Sequence, residues 1–269
     1  MRLREFFYLL GLKPNYQFYG HVVDAIKVDG DNIDFANWLA PKSPKLDLQQ
    51  VELDELRKFL NPGDFAIDVG AHIGDSTLPI ALVCGAQGAV IAFEPNPVTF
   101  RVLAANSALN PQKTNIIPLP FAVASDDLLL NFDYGDPWLS NGGDHAGVSK
   151  WSHASAFSIP VNAINVSKLL RDKYPSRLQK LRYIKIDVEG NDFNVVKSLS
   201  EVIEEFRPYI KLEVGWPTSK EDRDGIAAYF KKINYELRLV INRKGLFGPL
   251  LTDDFLYGKE TIDVFAIPQ

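Results

Sequence analysis

A glycine-bearing segment in the first half of the chain carries residues suited to holding a cofactor. The run Asp68-Val69-Gly70-Ala71-His72-Ile73-Gly74 begins inside an apolar stretch, FAIDV, and precedes the sequence STLPIALVC. Glycines at a strand-to-helix turn let the backbone approach a ligand, and the first N–H groups of the helix are free donors. Glu94 ends the next apolar run, where a carboxylate can accept hydrogen bonds from both hydroxyls of a ribose. We therefore expect a cofactor that contains ribose.

The spacing of the glycines discriminates between cofactors. A dinucleotide fingerprint has the form G-x-G-x-x-G, whereas His72 stands here where the middle glycine belongs. The carboxylate of Asp68 would also be a poor neighbour for two phosphates. S-adenosylmethionine carries a sulfonium and an α-amino group, so the charge favours it, with S-adenosylhomocysteine as product, over NAD. There are two structural alternatives. The glycine segment could be a tight turn that binds nothing, and the Glu94 carboxylate could simply interact with the dipole of the following helix.

Three acidic residues follow two later apolar runs. Asp187 and Glu189 come at the end of YIKIDV, and Glu213 comes near the end of YIKLEV. The carboxyl ends of parallel strands share a ligand crevice, and an extended backbone would put Asp187 and Glu189 on one face. These acids could take a proton from a substrate hydroxyl, bind sugar hydroxyls or hold a divalent cation. The alternatives are structural: Asp187 and Glu189 could cap the following helix, and Glu213 could form an ion pair with Lys185 or Lys211. A metal is possible but not predicted.

The stretch 135–157 is the longest predicted irregular segment and is rich in Gly, Ser, Asp and His. Long loops in compact domains are often binding loops. His145 and His153 could act there as a general base, and Trp138 and Trp151 could stack on a sugar face. Exposed histidines and tryptophans that only anchor the loop are the alternatives. The basic run over 168–185 is most simply a solvated surface, with an anionic acceptor as the other possibility.

Strands and helices must alternate to position these groups. The apolar runs predict strands at FAIDVG, AVIAFEP, NIIPLPFAV, LLLNFDY, YIKIDV, YIKLEV, YELRLVI and IDVFAI, and the intervening patterns predict helices over 76–84, 97–109, 166–173, 192–204 and 221–232. Nearly continuous apolar strands between helices indicate an α/β fold with a doubly wound, mostly parallel sheet.

Residues 1–60 are predicted to be a separate N-terminal helical extension or cap, and residues 61–269 the cofactor-binding domain. The extension would hold an amphipathic helix over 6–12 and a second helix ending at Asn61-Pro62-Gly63. The apolar run after the basic N-terminus is short for a signal peptide, and nothing approaches the roughly 18 apolar residues of a transmembrane helix. A peripheral membrane contact is possible.

The composition is that of an ordinary globular protein. The 269 residues are 46% hydrophobic and 23% charged, and the net charge is −5. An acidic balance argues against nucleic acid as a partner. The single cysteine, Cys84, excludes an intrachain disulfide and fits a reducing compartment, so we expect a cytoplasmic protein. A homo-oligomer is possible.

Three ordered motifs resemble the FkbM family of S-adenosylmethionine-dependent methyltransferases. They are IDVGAHIGDSTL, VIAFEPNPVTFRVLAANSALN and YIKIDVEGNDFNVVKSL, and the resemblance runs from about 65 to 267. It implies a class I methyltransferase fold, Rossmann-like, with a seven-stranded sheet and one antiparallel strand near its edge. It also implies O-methylation, typically of sugar or polyketide hydroxyls.

The resemblance also assigns residues to the cofactor. The matching positions are Asp68, Gly70, Ala71, His72, Gly74 and Ser76 in the glycine loop, Glu94, Pro95 and Asn96 after the second strand, Ala122 with its neighbours Phe121 and Val123 beside the adenine, and Asp187. His72 departs from the family, which often has Asn there, and Asn191 stands where a small residue is common.

These observations predict an S-adenosylmethionine-dependent O-methyltransferase that acts on a hydroxyl of a sugar, a glycan or another polyhydroxylated metabolite. The general base is predicted to be Glu189 or Asp187, followed by Glu213 and His145. Two other classes stay open: a methyltransferase-like binding module without activity, and an NAD-dependent oxidoreductase. Nucleic-acid methylation is disfavoured because the chain lacks an Asn/Asp-Pro-Pro-Tyr tetrapeptide.

Overall fold

The computed structural model describes residues 6–8, 10–140, 142–144, 156–215, 218–241, 245–258 and 260–269. Its strands in chain order are β1 (His21–Val28), β2 (Asp31–Trp38), β3 (Phe65–Val69), β4 (Ala89–Phe93), β5 (Ile116–Leu119), β6 (Ala122–Ala124), β7 (Leu128–Tyr134), β8 (Gly142–Asp144), β9 (Phe157–Asn165), β10 (Leu181–Ile186), β11 (Tyr209–Val214), β12 (Tyr235–Val240) and β13 (Ile262–Pro268). The helices are α1 (Gln50–Leu56), α2 (Thr77–Cys84), α3 (Pro97–Ala108), α4 (Val166–Lys173), α5 (Pro175–Leu178), α6 (Asp192–Ser198), α7 (Ser200–Phe206), α8 (Lys220–Lys232) and α9 (Asp253–Leu256).

The central sheet has seven strands in the order β12-β13-β11-β10-β3-β4-β5. Strand β13 runs antiparallel to both of its neighbours, and the other adjacent pairs are parallel. The predicted doubly wound sheet with one antiparallel strand near its edge is therefore confirmed. Every residue of β3 and β4 is buried, as expected for strands covered on both faces.

Local sequence determines where several helices around the central sheet begin and end. The Asn96 side chain accepts a hydrogen bond from the N–H of Val98 and caps α3, whose first residue is Pro97. Helix α2 tolerates Pro79 because N–H groups in the first turn have no partner within the helix. The predicted helix over 192–204 is divided at Leu199 into α6 and α7.

A second sheet lies between β5 and β10 in the sequence, with the order β6-β9-β7-β8. The predicted single strand NIIPLPFAV is divided between the two sheets, because Pro120 has no N–H to continue a ladder. The prediction that 135–157 is irregular was wrong at β8 and at the start of β9, which pair with β7.

The N-terminal segment is not wholly helical as predicted. Helix α1 is present, but β1 and β2 form an antiparallel hairpin around Asp29 and Gly30, whose φ angles of 56° and 77° are those of a tight hairpin turn. The hairpin forms because Ile33 and Phe35 bury themselves against the domain while most of β1 stays exposed. Whether residues 1–60 act as a cap stays a prediction.

Hydrophobic clusters cover the two faces of the central sheet. Successive side chains of β3 point to opposite faces of the sheet, so Ala66 lies in one cluster and Ile67 in the other. The first cluster includes Phe35 of the hairpin and Leu53 of α1, whereas the second includes Ile226 of α8. Within the part of the chain that the structure describes, no helix has the length and apolar character needed to cross a bilayer.

Candidate active site

A cavity of about 420 Å³ opens at the carboxyl ends of the central strands. Its volume lies in the range of small-molecule sites, about 300–1,000 Å³. Gly70 and Glu94 line one part of it, and Asp187, Glu189 and Glu213 line another. The two groups of residues that the sequence singled out therefore face the same space.

The glycine loop passes directly against the end of β10. Gly70 has a φ of +81°, and a Cβ at this position would lie 1.8 Å from the carbonyl oxygen of Asp187. The N–H groups of Gly70 and Ala71 each donate to the carbonyl oxygen of Phe93 at 3.0 Å, which joins the loop to β4. Only glycine satisfies both the left-handed backbone and the close approach.

Glu94 is held by the backbone on both sides of its carboxylate. The N–H of His72 donates to Oε2 at 2.8 Å, and the N–H of Asn96 donates to Oε1 at 2.9 Å. The side chain is buried, and this burial raises the pKa of Glu94 although the two N–H groups favour the charged form. The Thr99 hydroxyl also hydrogen-bonds this carboxylate, which still leaves acceptor capacity for a ribose hydroxyl.

Asp68 is fully buried and is held by protein groups. Its Oδ2 accepts from Ser76 Oγ at 2.9 Å and from Thr77 Oγ1 at 2.7 Å, and its Oδ1 lies 3.5 Å from Lys185 Nζ. The carboxylate thus joins β3, α2 and β10. Ala71 and Gly74 are also buried, and all three lie behind the cavity wall. Direct contact of these three residues with a cofactor stays a prediction.

Lys185, expected only as an alternative partner of Glu213, lies instead inside the site. It is buried, and its Nζ lies between Asp68 Oδ1 at 3.5 Å and Asp187 Oδ2 at 3.2 Å. Burial disfavours the ammonium, but the two carboxylates outweigh it and raise the pKa of Lys185. The charge of Lys185 in turn lowers the pKa of Asp187. A lysine inside an apolar strand, two residues before an acid, was the available signal.

Glu189 does not share a strand face with Asp187 as predicted. Strand β10 ends at Ile186, and Glu189 lies in a turn with a φ of +57°. The turn is held by Asp192, whose two carboxylate oxygens accept from the N–H groups of Val188 and Gly190, each at 3.1 Å. Burial raises the pKa of Asp192 to about 7. The prediction failed because these hydrogen bonds close a turn where an extended backbone was assumed.

Glu189 nevertheless lines the cavity from this turn. Its side chain is exposed to solvent, but partial desolvation by the cavity walls, together with the charge of Asp187, raises the pKa of Glu189. Asp187 and Glu189 are therefore neighbouring acids that influence each other in this part of the cavity.

Glu213 lies at the same end of the cavity, on β11. It stands directly opposite Asp263 in the antiparallel pair of β11 and β13. Lys211 pairs with Asp263 at 2.7 Å, and Lys185 pairs with Asp68 and Asp187, so neither lysine takes the predicted position beside Glu213. Burial, followed by the neighbouring acids Asp187, Glu189, Asp192 and Asp263, raises the pKa of Glu213 to about 8. The ionised form of such a carboxyl group is a stronger base than an ordinary glutamate, but it is the minor form at neutral pH.

Further predicted positions also line the cavity. Ser76, His72, Pro95, Asn96, Phe121, Ala122 and Val123 are all part of its wall. Tyr134 of β7 also lines it and was not identified from the sequence. Trp138 is half-buried and packs against the first hydrophobic cluster, which agrees with an anchoring role.

Several predicted residues fall outside the described part of the chain. His145, His153 and Trp151 are among them, so a base or a stacking platform at these positions stays a prediction. Among the residues that are described, no group of three or more His, Cys, Asp or Glu side chains is arranged to hold a metal ion.

Comparison with known proteins identifies the relatives of this fold. Residues 68–238 match the family model of the methyltransferase FkbM domain. The chain is 28% identical over 156 residues to the hexuronic acid methyltransferase AglP of Haloferax volcanii, which covers 57% of this chain and 58% of that protein. It is also 28% identical over 158 residues to the methyltransferase sdnD of Sordaria araneosa, which covers 51% of this chain and 61% of that protein. The matches thus span about three-fifths of the length of each relative.

A solved structure shows a weaker likeness. The methyltransferase FkbM from Methylobacillus flagellatus KT is 12% identical, with a TM-score of 0.47, and the match covers 81% of this chain and 51% of that one.

Proposed function

The chain belongs to the FkbM methyltransferase family, and on this premise we propose that it transfers the methyl group of S-adenosylmethionine to a hydroxyl of a sugar, a glycan or another polyhydroxylated metabolite. The observation that carries the proposal is one continuous cavity, lined at one end by Glu94 and at the other by Glu213 and its acidic neighbours. A group transfer between two bound molecules needs such a space, because both reacting centres must be held in contact and away from water.

The cofactor end fits an adenosyl group. Glu94 lines the cavity, and its carboxylate accepts from two backbone N–H groups, which favour its charged form. The imidazole Nε2 of His72 is buried and has no hydrogen-bond partner in the described chain, so a polar ligand atom could satisfy it. Phe121 and Ala122 supply an apolar wall suited to an adenine ring. When bound, S-adenosylmethionine supplies an electrophilic methyl group on a positively charged sulfur.

The acidic end suits activation of a hydroxyl. In its ionised form Glu213 would accept the proton of the acceptor hydroxyl as the oxygen takes the methyl group; the raised pKa makes this form a stronger base and populates it mainly above about pH 8. Asp187 and Glu189 would accept hydrogen bonds from other hydroxyls of the acceptor and so fix its orientation. General-base catalysis of this kind contributes about 10²- to 10⁴-fold in rate, and orientation supplies the rest.

A sugar acceptor is supported by the acids themselves and by one relative. Carboxylates commonly orient hydroxyl-rich molecules because each oxygen accepts two hydrogen bonds. The relative from Haloferax volcanii is named as a hexuronic acid methyltransferase. A cytoplasmic location, a possible homo-oligomer and the absence of a nucleic-acid partner stay predictions.

Calorimetric titration tests the cofactor assignment. We expect S-adenosylmethionine and S-adenosylhomocysteine to bind with micromolar affinity and NAD not to bind. Glu94→Ala should weaken the binding of both adenosyl ligands by at least about tenfold, since it removes a charged acceptor from a buried site. Glu236→Ala is the matched control, because that carboxylate pairs with Arg238 on β12.

Two results would contradict the proposal. Absence of binding by either adenosyl ligand to the folded wild-type protein would overturn the cofactor assignment. Binding of the cofactor without methyl transfer, in a mass-spectrometric screen of neutral and acidic sugars, glycans and polyols, would favour the alternative of a binding module without activity.

A further inference from the structure

One buried amide joins the N-terminal hairpin to the glycine loop. Asn106 lies near the end of α3 and is 3% exposed. Its Oδ1 accepts from the N–H of Ala36 at 2.7 Å, and its Nδ2 donates to the carbonyl oxygens of Ala36 at 3.1 Å and Ile73 at 2.7 Å. Ala36 belongs to β2 and Ile73 to the loop, so a single side chain ties the two segments together.

A second contact joins the same two segments. Trp38, the last residue of β2, is 3% exposed, and its ring meets the ring of His72 edge to face, with centroids 5.8 Å apart and an interplanar angle of 76°. His72 has a left-handed backbone with a φ of +51°. Residues other than glycine hold this conformation only where their surroundings over-determine it.

The backbone of His72 matters because of what it does in the site. Its N–H is the donor to Glu94 Oε2. Any relaxation of His72 away from the left-handed conformation would turn that N–H away from Glu94 and move the loop that lines the cavity. Trp38 packs on the side chain of His72, and Asn106 fixes the next carbonyl group, so the two contacts bracket this donor.

We propose that the N-terminal hairpin is a working part of the cofactor site, and that Trp38 and Asn106 are positioning residues that hold the glycine loop in its binding conformation. The proposal rests on the function proposed above. The hairpin lies outside the segment that matches the family, which begins at residue 68. In this chain, therefore, a segment beyond the matched domain stabilises the loop that the domain uses for binding.

Asn110, which follows α3, is a matched control for Asn106 because it also binds the hairpin through its side-chain amide. Asn110 makes an equivalent pair of hydrogen bonds with Asp34 of β2: its Oδ1 accepts from the N–H at 2.9 Å, and its Nδ2 donates to the carbonyl oxygen at 2.8 Å. Both of these bonds end on the hairpin. Asn110→Gly removes them while suiting the local φ of +55°. It therefore loosens the hairpin without removing a bond to the loop.

The test measures the affinity of the full-length protein for S-adenosylhomocysteine, together with its thermal stability. Asn106→Ala and Asn110→Gly should both lower the melting temperature. Only Asn106→Ala should also raise the dissociation constant, by about tenfold, measured at a temperature where circular dichroism shows all variants folded. Trp38→Leu should raise it several-fold, because the His72 ring then loses its aromatic neighbour.

The outcomes separate this inference from the proposed function. A folded Asn106→Ala variant with a dissociation constant within twofold of wild type would overturn the inference. If Asn106→Ala does not fold, an unchanged dissociation constant in Trp38→Leu would overturn it equally. An equal loss of affinity in Asn110→Gly would also overturn it, since the effect would then reflect general loosening. Failure of the wild-type protein to bind S-adenosylhomocysteine contradicts the proposed function itself.

Discussion

Burial raises the pKa of Glu213 most, and acidic residues from three neighbouring elements raise it further. Asp187 and Glu189 follow β10, Asp192 begins α6 and Asp263 lies opposite on β13. Like charges directly opposite in an antiparallel pair are unfavourable. Lys211 relieves this by pairing with Asp263 at 2.7 Å. Burial and the surrounding acids together favour the protonated form of Glu213, because they raise its pKa to about 8.

This arrangement predicts a pH-dependent loss of stability that Glu213→Gln removes. The pKa of Glu213 rises from about 4.5 to about 8 on folding. Between those values the folded state holds a proton that the unfolded chain has lost, so the free energy of unfolding falls as the pH rises through this window. Urea unfolding of both proteins at several pH values should therefore show the wild type losing stability relative to Glu213→Gln as the pH rises.

The control for this prediction is Glu236→Gln, a carboxylate paired with Arg238 on β12. The difference between Glu236→Gln and the wild type should stay nearly constant over the same window. A difference between Glu213→Gln and the wild type that did not depend on pH would show that Glu213 titrates normally in the folded protein. It would then be a poor candidate for the general base.

At the scale of elements, the junction between β3 and α2 is the most constrained part of the site. Gly70 needs both a left-handed backbone and the absence of a side chain, since its Cβ would collide with the carbonyl oxygen of Asp187 at 1.8 Å. We expect Gly70→Ala to cost more than about 4 kcal/mol in unfolding free energy, a loss seen only where strain and steric overlap combine.

The comparison variant for Gly70→Ala is Gly63→Ala. Gly63 has a φ of +95°, but a Cβ there would meet nothing within 4 Å. Gly63→Ala should therefore lower the unfolding free energy only by the cost of holding alanine in a left-handed backbone, about 1–2 kcal/mol. Denaturant unfolding of the two variants therefore separates backbone strain from collision. Equal losses would contradict the close packing of the glycine loop against the end of β10.

The elements around the site could be predicted because their signals are local. Strand β4 is an uninterrupted apolar run and β3 is interrupted only by Asp68; Gly70 follows β3, Glu94-Pro95 follows β4, and Asn96-Pro97 marks the start of α3. The role of Lys185 could not be predicted in this way. Its partner Asp68 is far away in the sequence, and only the pairing of β10 with β3 brings the two side chains together.

The hairpin was missed for a different reason. Most side chains of β1 are exposed, so its sequence HVVDAIKV lacks a clear alternation of polar and apolar residues, and the helical pattern over residues 48–60 dominated the N-terminal segment. Asp29-Gly30 was the one local signal, since this dipeptide favours a tight hairpin turn. Strand pairing of this kind depends on burial against the rest of the domain, which a local pattern does not contain.

At the scale of the whole molecule, the boundary predicted at residue 60 does not divide the hydrophobic core. Phe35 and Ile33 of β2 belong to the same buried cluster as Ala66 of β3, Val90 of β4 and Phe265 of β13. Asn106 adds a polar connection between β2 and α3. A hairpin that shares its core with the central sheet should unfold together with that sheet.

Phe35→Ala tests this cooperativity. Phe35 is fully buried, and truncation of such a side chain costs about 3–5 kcal/mol through lost burial and the cavity left behind. Because the core is shared, the loss should appear in the unfolding of the whole molecule, with coincident shifts of the urea transition in far-ultraviolet circular dichroism and tryptophan fluorescence. If the hairpin were an independent cap, a separate early transition would appear and the main transition would stay at its wild-type midpoint. A shared shift would mean that the N-terminal segment and the cofactor-binding sheet fold as one unit, as the hairpin needs if it is to hold the glycine loop.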